Sequence, residues 1–106
     1  MKEIRKMLER GELVMGTFSF FSNPIPIEVI GYTGSFDFVI IDTEHAPAWV
    51  GTQYEDLVRA AYASDITPIA RVTELSRALS LKVLDYGAKK GLCFPQLTPR
   101  KKCLLL

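Results

Sequence analysis

Four short runs rich in β-branched and aromatic residues, Val14–Phe18, Asp37–Asp42, Thr67–Val72 and Gly91–Pro95, alternate with longer stretches of helical pattern. A strand that returns parallel to its predecessor needs a crossover of a dozen or more residues, normally a helix. Each run begins one strand plus one such crossover after the last, so the alternation predicts βα units around a parallel sheet.

The intervening stretches carry the expected helix signals. Ile4, Met7 and Leu8 fall on one face ahead of the first run, and Gly11 follows as a C′ residue. Asn23 is placed to cap a helix starting at Pro24, since proline in a first turn removes an amide that has no intrahelical partner; Ile27 and Ile30 then face the sheet. Thr52 and Glu55 have the spacing of a capping box, followed by a stripe of Leu57, Ala60, Ala61 and Ser64. Ser76 can cap a last helix whose Ala78, Leu81 and Leu84 share a face and which Gly87 ends. No linker or low-complexity segment interrupts the series, so residues 1–106 read as a single unit.

Length limits how that unit can close. A barrel of eight βα units takes about 200–250 residues, and 106 residues with four strand runs amount to half of one. The expected fold is therefore α/β: a parallel half-barrel of four strands, the first half of a TIM (β/α)8 barrel. Residues 98–106 form an atypical tail, in which the cations Arg100, Lys101 and Lys102 precede Cys103 and three leucines without a helix start. A premature end or shifted reading frame reads this way, and so does an ordinary frayed, solvated tail.

Composition narrows the function classes. A hydrophobic share of 48% and a charged share of 24% describe a globular protein with material for a core. The formal net charge of +1 carries no overall footprint of nucleic acid or anionic membrane. No apolar stretch approaches the roughly 20 residues a spanning helix needs. The charged first ten residues lack the core of a secretory signal, which makes the cytoplasm the expected location. Cys93 and Cys103 form no C-x-x-C pair and read as ordinary reduced thiols, and the single histidine, His45, excludes zinc patterns that need two.

Ligands of parallel α/β sheets collect at the carboxyl ends of the strands. Those ends carry Thr17-Phe18, Asp42-Thr43-Glu44-His45, Arg71 and Pro95-Gln96. A carboxylate beside a histidine fixes its tautomer and raises its basicity, and an arginine clamps a carboxylate or enolate through two donors. Asp42, His45 and Arg71 thus suit proton transfer beside a keto acid. The competing reading is a surface salt-bridge cluster in which His45 merely caps a loop. Glu44 is open to pairing with Arg71 or to facing solvent. Phe18, Phe20 and Phe21 suit a pocket wall, although aromatics so spaced are more often core or interface. Gly11 and Gly16 have P-loop spacing, but Thr17-Phe18 stands where Lys-Ser/Thr is needed.

Taken together, Phe36-Asp37-Phe38-Val39-Ile40-Ile41-Asp42-Thr43-Glu44-His45-Ala46-Pro47, Pro68-Ile69-Ala70-Arg71-Val72, Leu84-Asp85-Tyr86-Gly87-Ala88 and Phe94-Pro95-Gln96 resemble, in order and spacing, the HpcH/HpaI aldolase family of metal-dependent, pyruvate-forming aldolases. The resemblance runs from about Ile4 to Gln96. It implies a lyase that reversibly cleaves 2-keto-4-hydroxy acids to pyruvate and an aldehyde with a divalent cation such as Mg²⁺, Mn²⁺ or Co²⁺, and a homo-oligomer for the full-length family. By the same analogy His45 is the catalytic base, Asp42 its orienting partner, and Arg71 the group that binds the pyruvyl oxygens and stabilises the enolate. Phe18 falls where the family usually has a tryptophan. The family's Glu and Asp metal ligands come from later strands and have no counterpart in this sequence, so the chain alone is expected to be inactive. The alternative is a non-catalytic half-barrel that pairs with another half.

Overall fold

A computed structural model describes residues 2–42, 52–72, 78, 81, 85, 91–94 and 102–105. The elements run α1 (Ile4–Glu9), β1 (Gly16–Ser19), α2 (Ile25–Tyr32), β2 (Phe38–Asp42), α3 (Thr52–Ala63), β3 (Thr67–Arg71), β4 (Gly91–Phe94) and β5 (Lys102–Leu105). They form one sheet in the order β1-β2-β3-β4-β5. The β1/β2, β2/β3 and β3/β4 pairs are parallel, and β5 lies antiparallel to β4. The α/β architecture and the parallel pairing of the runs at Asp37 and Thr67 are as the alternation predicts.

Strand β5 is a departure, because residues 102–105 read in the sequence as part of an irregular, solvated tail. An edge strand presents a row of unpaired N–H and C=O groups that recruits any β-competent segment within reach. Cys103, Leu104 and Leu105 supply such a segment, and they pair with Cys93, Leu92 and Gly91.

The core lies between the sheet and helices α2 and α3. Val39 and Ile41 of β2, with Ala70 of β3 and the following Val72, alternate toward the helices and pack with Ile27, Tyr54, Leu57, Val58, Ala60, Ala61 and Ile66. Burying each large aliphatic side chain contributes about 1.5–3 kcal/mol. Both Ile27 and the stripe of Leu57, Ala60, Ala61 and Ser64 are buried as expected, and Ile30 packs at the margin. Burial of Tyr54 pushes its phenol above its ordinary pKa. Asn23 Oδ1 accepts from the Ile25 amide at 2.9 Å, the cap expected for α2. Glu55 accepts from Arg59 Nη2 at 2.7 Å, one turn onward along α3, and the Thr52 side chain of the expected capping box lies outside the description.

The helices α1, α2 and α3 hand the chain to the next strand in the same way. After α1, α2 and α3 come Gly11 (φ +74°), Gly34 (φ +68°) and Asp65 (φ +56°), each in the left-handed region. Around Gly11, the Gly11 amide donates to Leu8 O and the Glu12 amide to Met7 O, both at 3.0 Å, which satisfies two carbonyls the helix leaves over. Asp65 and Ile66 repeat the pattern onto Tyr62 and Ala61.

These turns gather at the amino ends of the strands, which form a stitched base. The Asp37 carboxylate accepts from Lys2 Nζ and, at 2.9 Å, from the Met15 amide. The Lys2 ammonium, with that amide, holds the Asp37 carboxyl below the usual carboxylate pKa. Thr67 Oγ1 donates to Lys2 O at 2.7 Å, so the segment before α1 is tied to both β2 and β3. Gly16 faces Phe38 across the β1/β2 pair, and a Cβ there would lie 2.3 Å from the ring.

Candidate active site

Parallel register sets which side chains meet at the opposite rim. Phe38, Ile40 and Asp42 of β2 stand beside Thr67, Ile69 and Arg71 of β3, and Phe18 of β1 stands beside Ile40. Because side chains alternate along a strand, Asp42, Arg71, Ile40 and Phe18 share the face turned away from α2 and α3, with Asp42 and Arg71 at its carboxyl end.

There Arg71 Nη1 donates to Asp42 Oδ2 at 3.3 Å. The Asp42 side chain is 0% exposed and that of Arg71 16% exposed. A carboxylate fully withdrawn from water is tolerated when a counter-charge stands against it, so the pair is a built feature rather than an exposed salt bridge. Arg71 also reaches across β2: its guanidinium carbon lies 5.9 Å from the centroid of the Phe18 ring. Phe18 in turn stacks on Phe20, with centroids 5.6 Å apart and planes 5° apart.

Of the residues singled out in the sequence, Asp42 and Arg71 are brought together. His45 and Glu44 lie outside the described residues, as do Pro95 and Gln96. Asp42, expected beside a histidine, has Arg71 as a partner. The three phenylalanines are not core: Phe18 is 40% exposed, Phe20 49% and Phe21 more. The core forms on the helix side of the sheet, and Phe18 lies on the other. What the sequence reading missed is the contact between Phe18 and Arg71. The only available signal was the i, i+2 spacing of Phe18 and Phe20 on an extended segment, which puts two rings on one face.

Among the described residues, no group of three or more His, Cys, Asp or Glu side chains is placed to hold a metal ion, and no helix is long and apolar enough to cross a membrane. Chemically, a half-sheltered arginine with one N–H held by a buried carboxylate and an aromatic ring near its guanidinium is suited to binding a small planar oxyanion.

No family model matches the chain. Relatives do. A 5-keto-4-deoxy-D-glucarate aldolase of Escherichia coli is 33% identical over 85 residues, covering 80% of this chain and 32% of the relative. Among solved structures, citrate synthase SbnG is 39% identical with a TM-score of 0.81 over 90% of this chain and 38% of its own. An HpcH/HpaI aldolase from Desulfitobacterium hafniense DCB-2 is 28% identical with a TM-score of 0.70, covering 84% and 34%. The chain thus spans about a third of the length of the curated relatives it matches.

Proposed function

The chain belongs to the HpcH/HpaI aldolase family, and from that premise we propose that it carries the keto-acid-binding side of a carbon–carbon lyase that reversibly cleaves 2-keto-4-hydroxy acids to pyruvate and an aldehyde. The sheet is read as the opening half of a (β/α)8 barrel, its four parallel strands lining one side of the pocket. The observation that carries the reading is the Asp42–Arg71 pair at the carboxyl end of adjacent parallel strands, where barrel enzymes place their chemistry.

In the cleavage direction, a base removes the proton of the 4-hydroxyl, the C3–C4 bond breaks, and its electron pair remains on C3 as the enolate of pyruvate. His45 is assigned that base. Arg71 binds the substrate carboxylate and the enolate oxygen, where a fixed cation is worth most as charge develops. Asp42 keeps the guanidinium in place, and beside His45 it would also orient the imidazole. The family's divalent cation, when bound, would supply Lewis acidity at the keto group. The described residues include no group of three or more acidic, histidine or cysteine side chains placed to hold it.

The test is direct. Titrating the 106-residue chain with pyruvate should give saturable binding that Arg71→Met weakens at least tenfold. With Mn²⁺ and a 2-keto-4-hydroxy acid, a coupled dehydrogenase assay should detect no pyruvate release from the chain alone. Pyruvate binding indifferent to Arg71→Met would remove the site.

A further inference from the structure

Two of the contacts of Arg71 come from different strands. The Asp42 carboxylate takes one N–H edge of the guanidinium at 3.3 Å, while the Phe18 ring, two strands away in the sheet, stands 5.9 Å from its central carbon. Neighbouring strands lie about 4.8 Å apart, so the two side chains together span roughly 10 Å of sheet and meet over β2. The bond to Asp42 does not by itself stop the guanidinium rotating about the bonded edge. An aromatic ring at a second point limits that rotation and so fixes where its other N–H bonds aim. Phe18 is not free to drift either, because its ring stacks on Phe20.

We infer that Phe18, buttressed by Phe20, is a positioning residue that sets the orientation of Arg71 toward an incoming carboxylate. Phe18 acts through Arg71, and its ring face is attractive to the cation because the π system is negative there. Phe18 of β1 and Phe20, just past the end of that strand, thereby determine how a residue of β3 presents its donors. The inference rests on the reading of Arg71 as the keto-acid ligand, and the experiment separates the two.

In the full chain, with arginine side chains labelled with ¹⁵N, the Arg71 Nε–H resonance reports its environment without any ligand. Phe18→Leu should move that resonance, weaken pyruvate binding about fivefold, the scale of one cation–π contact, and leave the backbone spectrum of β2 and β3 in place. Phe18→Trp should restore affinity to within twofold of the parent. Phe21→Leu removes a ring from the same end but outside the stack, and should change neither readout. An Arg71 resonance unmoved by Phe18→Leu overturns the inference, as does an equal effect from Phe21→Leu. If the parent chain binds no pyruvate, the functional reading fails, and the Arg71 resonance still decides the positioning role.

Discussion

Strand β2 has an aspartate at each end, and the two do different work. Asp37, just before the strand, pairs with Lys2 at the base, with side-chain exposures of 13% for the aspartate and 54% for the lysine. Asp42, the last residue of the strand, is sealed from solvent against Arg71. At the base the carboxylate also takes a backbone amide, so its role is to fasten the chain before α1 and the start of β1 onto β2. At the rim the carboxylate faces a planar cation whose stem crosses the sheet. The residue type is the same; burial and the shape of the partner separate the aspartate that fastens the base from the one assigned to the proposed site. Barrel folds divide stability and chemistry between their ends in the same manner.

The sharpest way to break this comparison is to remove the partner at each end. Arg71→Met leaves a wholly buried carboxylate without that counter-charge and should lower stability by about 3 kcal/mol while weakening pyruvate binding at least tenfold. Lys2→Met should cost less than about 1 kcal/mol and leave pyruvate binding unchanged. Urea titrations of both variants, with pyruvate titrations alongside, would show it; a Lys2→Met effect as large as that of Arg71→Met would erase the distinction.

A second variant separates stability from binding within the face that carries the proposed site. Gly16→Ala drives a methyl group into the Phe38 ring and should destabilise the chain by about 2 kcal/mol, with the pyruvate affinity of the folded fraction unaltered.

Acid sharpens the contrast further. The folded Asp37 carboxyl has a depressed pKa, so its contribution is fully present above the unfolded value of about 3.9 and is lost as pH falls through the folded value. The stability gap between parent and Asp37→Asn, measured by urea midpoints, should therefore be present at pH 7 and close below about pH 4. A gap that persists unchanged at pH 2 would mean the Asn variant harms the base sterically.

The smallest effect is expected at Asp65, which holds a left-handed conformation at the turn into β3. Asp65→Gly should stabilise by about 0.5–1 kcal/mol, seen as a higher thermal midpoint with no change at the rim.

Much of this was legible in the residues alone, because strand runs, helix stripes and caps are local. The pairing of Asp42 with Arg71 was half legible. Parallel strands put both on one rim, but only the register, Asp42 beside Arg71, makes them partners. The Phe18 contact was not legible, since it needs β1 and β3 to stand on either side of β2 and an arginine long enough to bridge them. The i, i+4 pair of Glu55 with Arg59 was written in the spacing too, although the reading looked only backward from Glu55 to Thr52. Strand β5 was hidden for another reason, because an antiparallel return depends on which edge happens to be open.

That returning strand changes how the sheet can grow. Parallel sheets lengthen by offering a bare edge to the next βα unit, and here β5 already occupies the edge of β4 through four residue pairs. Any further parallel strand on that side must first peel β5 away, in the manner of strand displacement in a nucleic acid duplex. Assembly at this edge thus becomes a competition between an intramolecular ladder, always at hand, and an incoming segment that must match it pair for pair. The opposite edge, at β1, has no such occupant among the described residues.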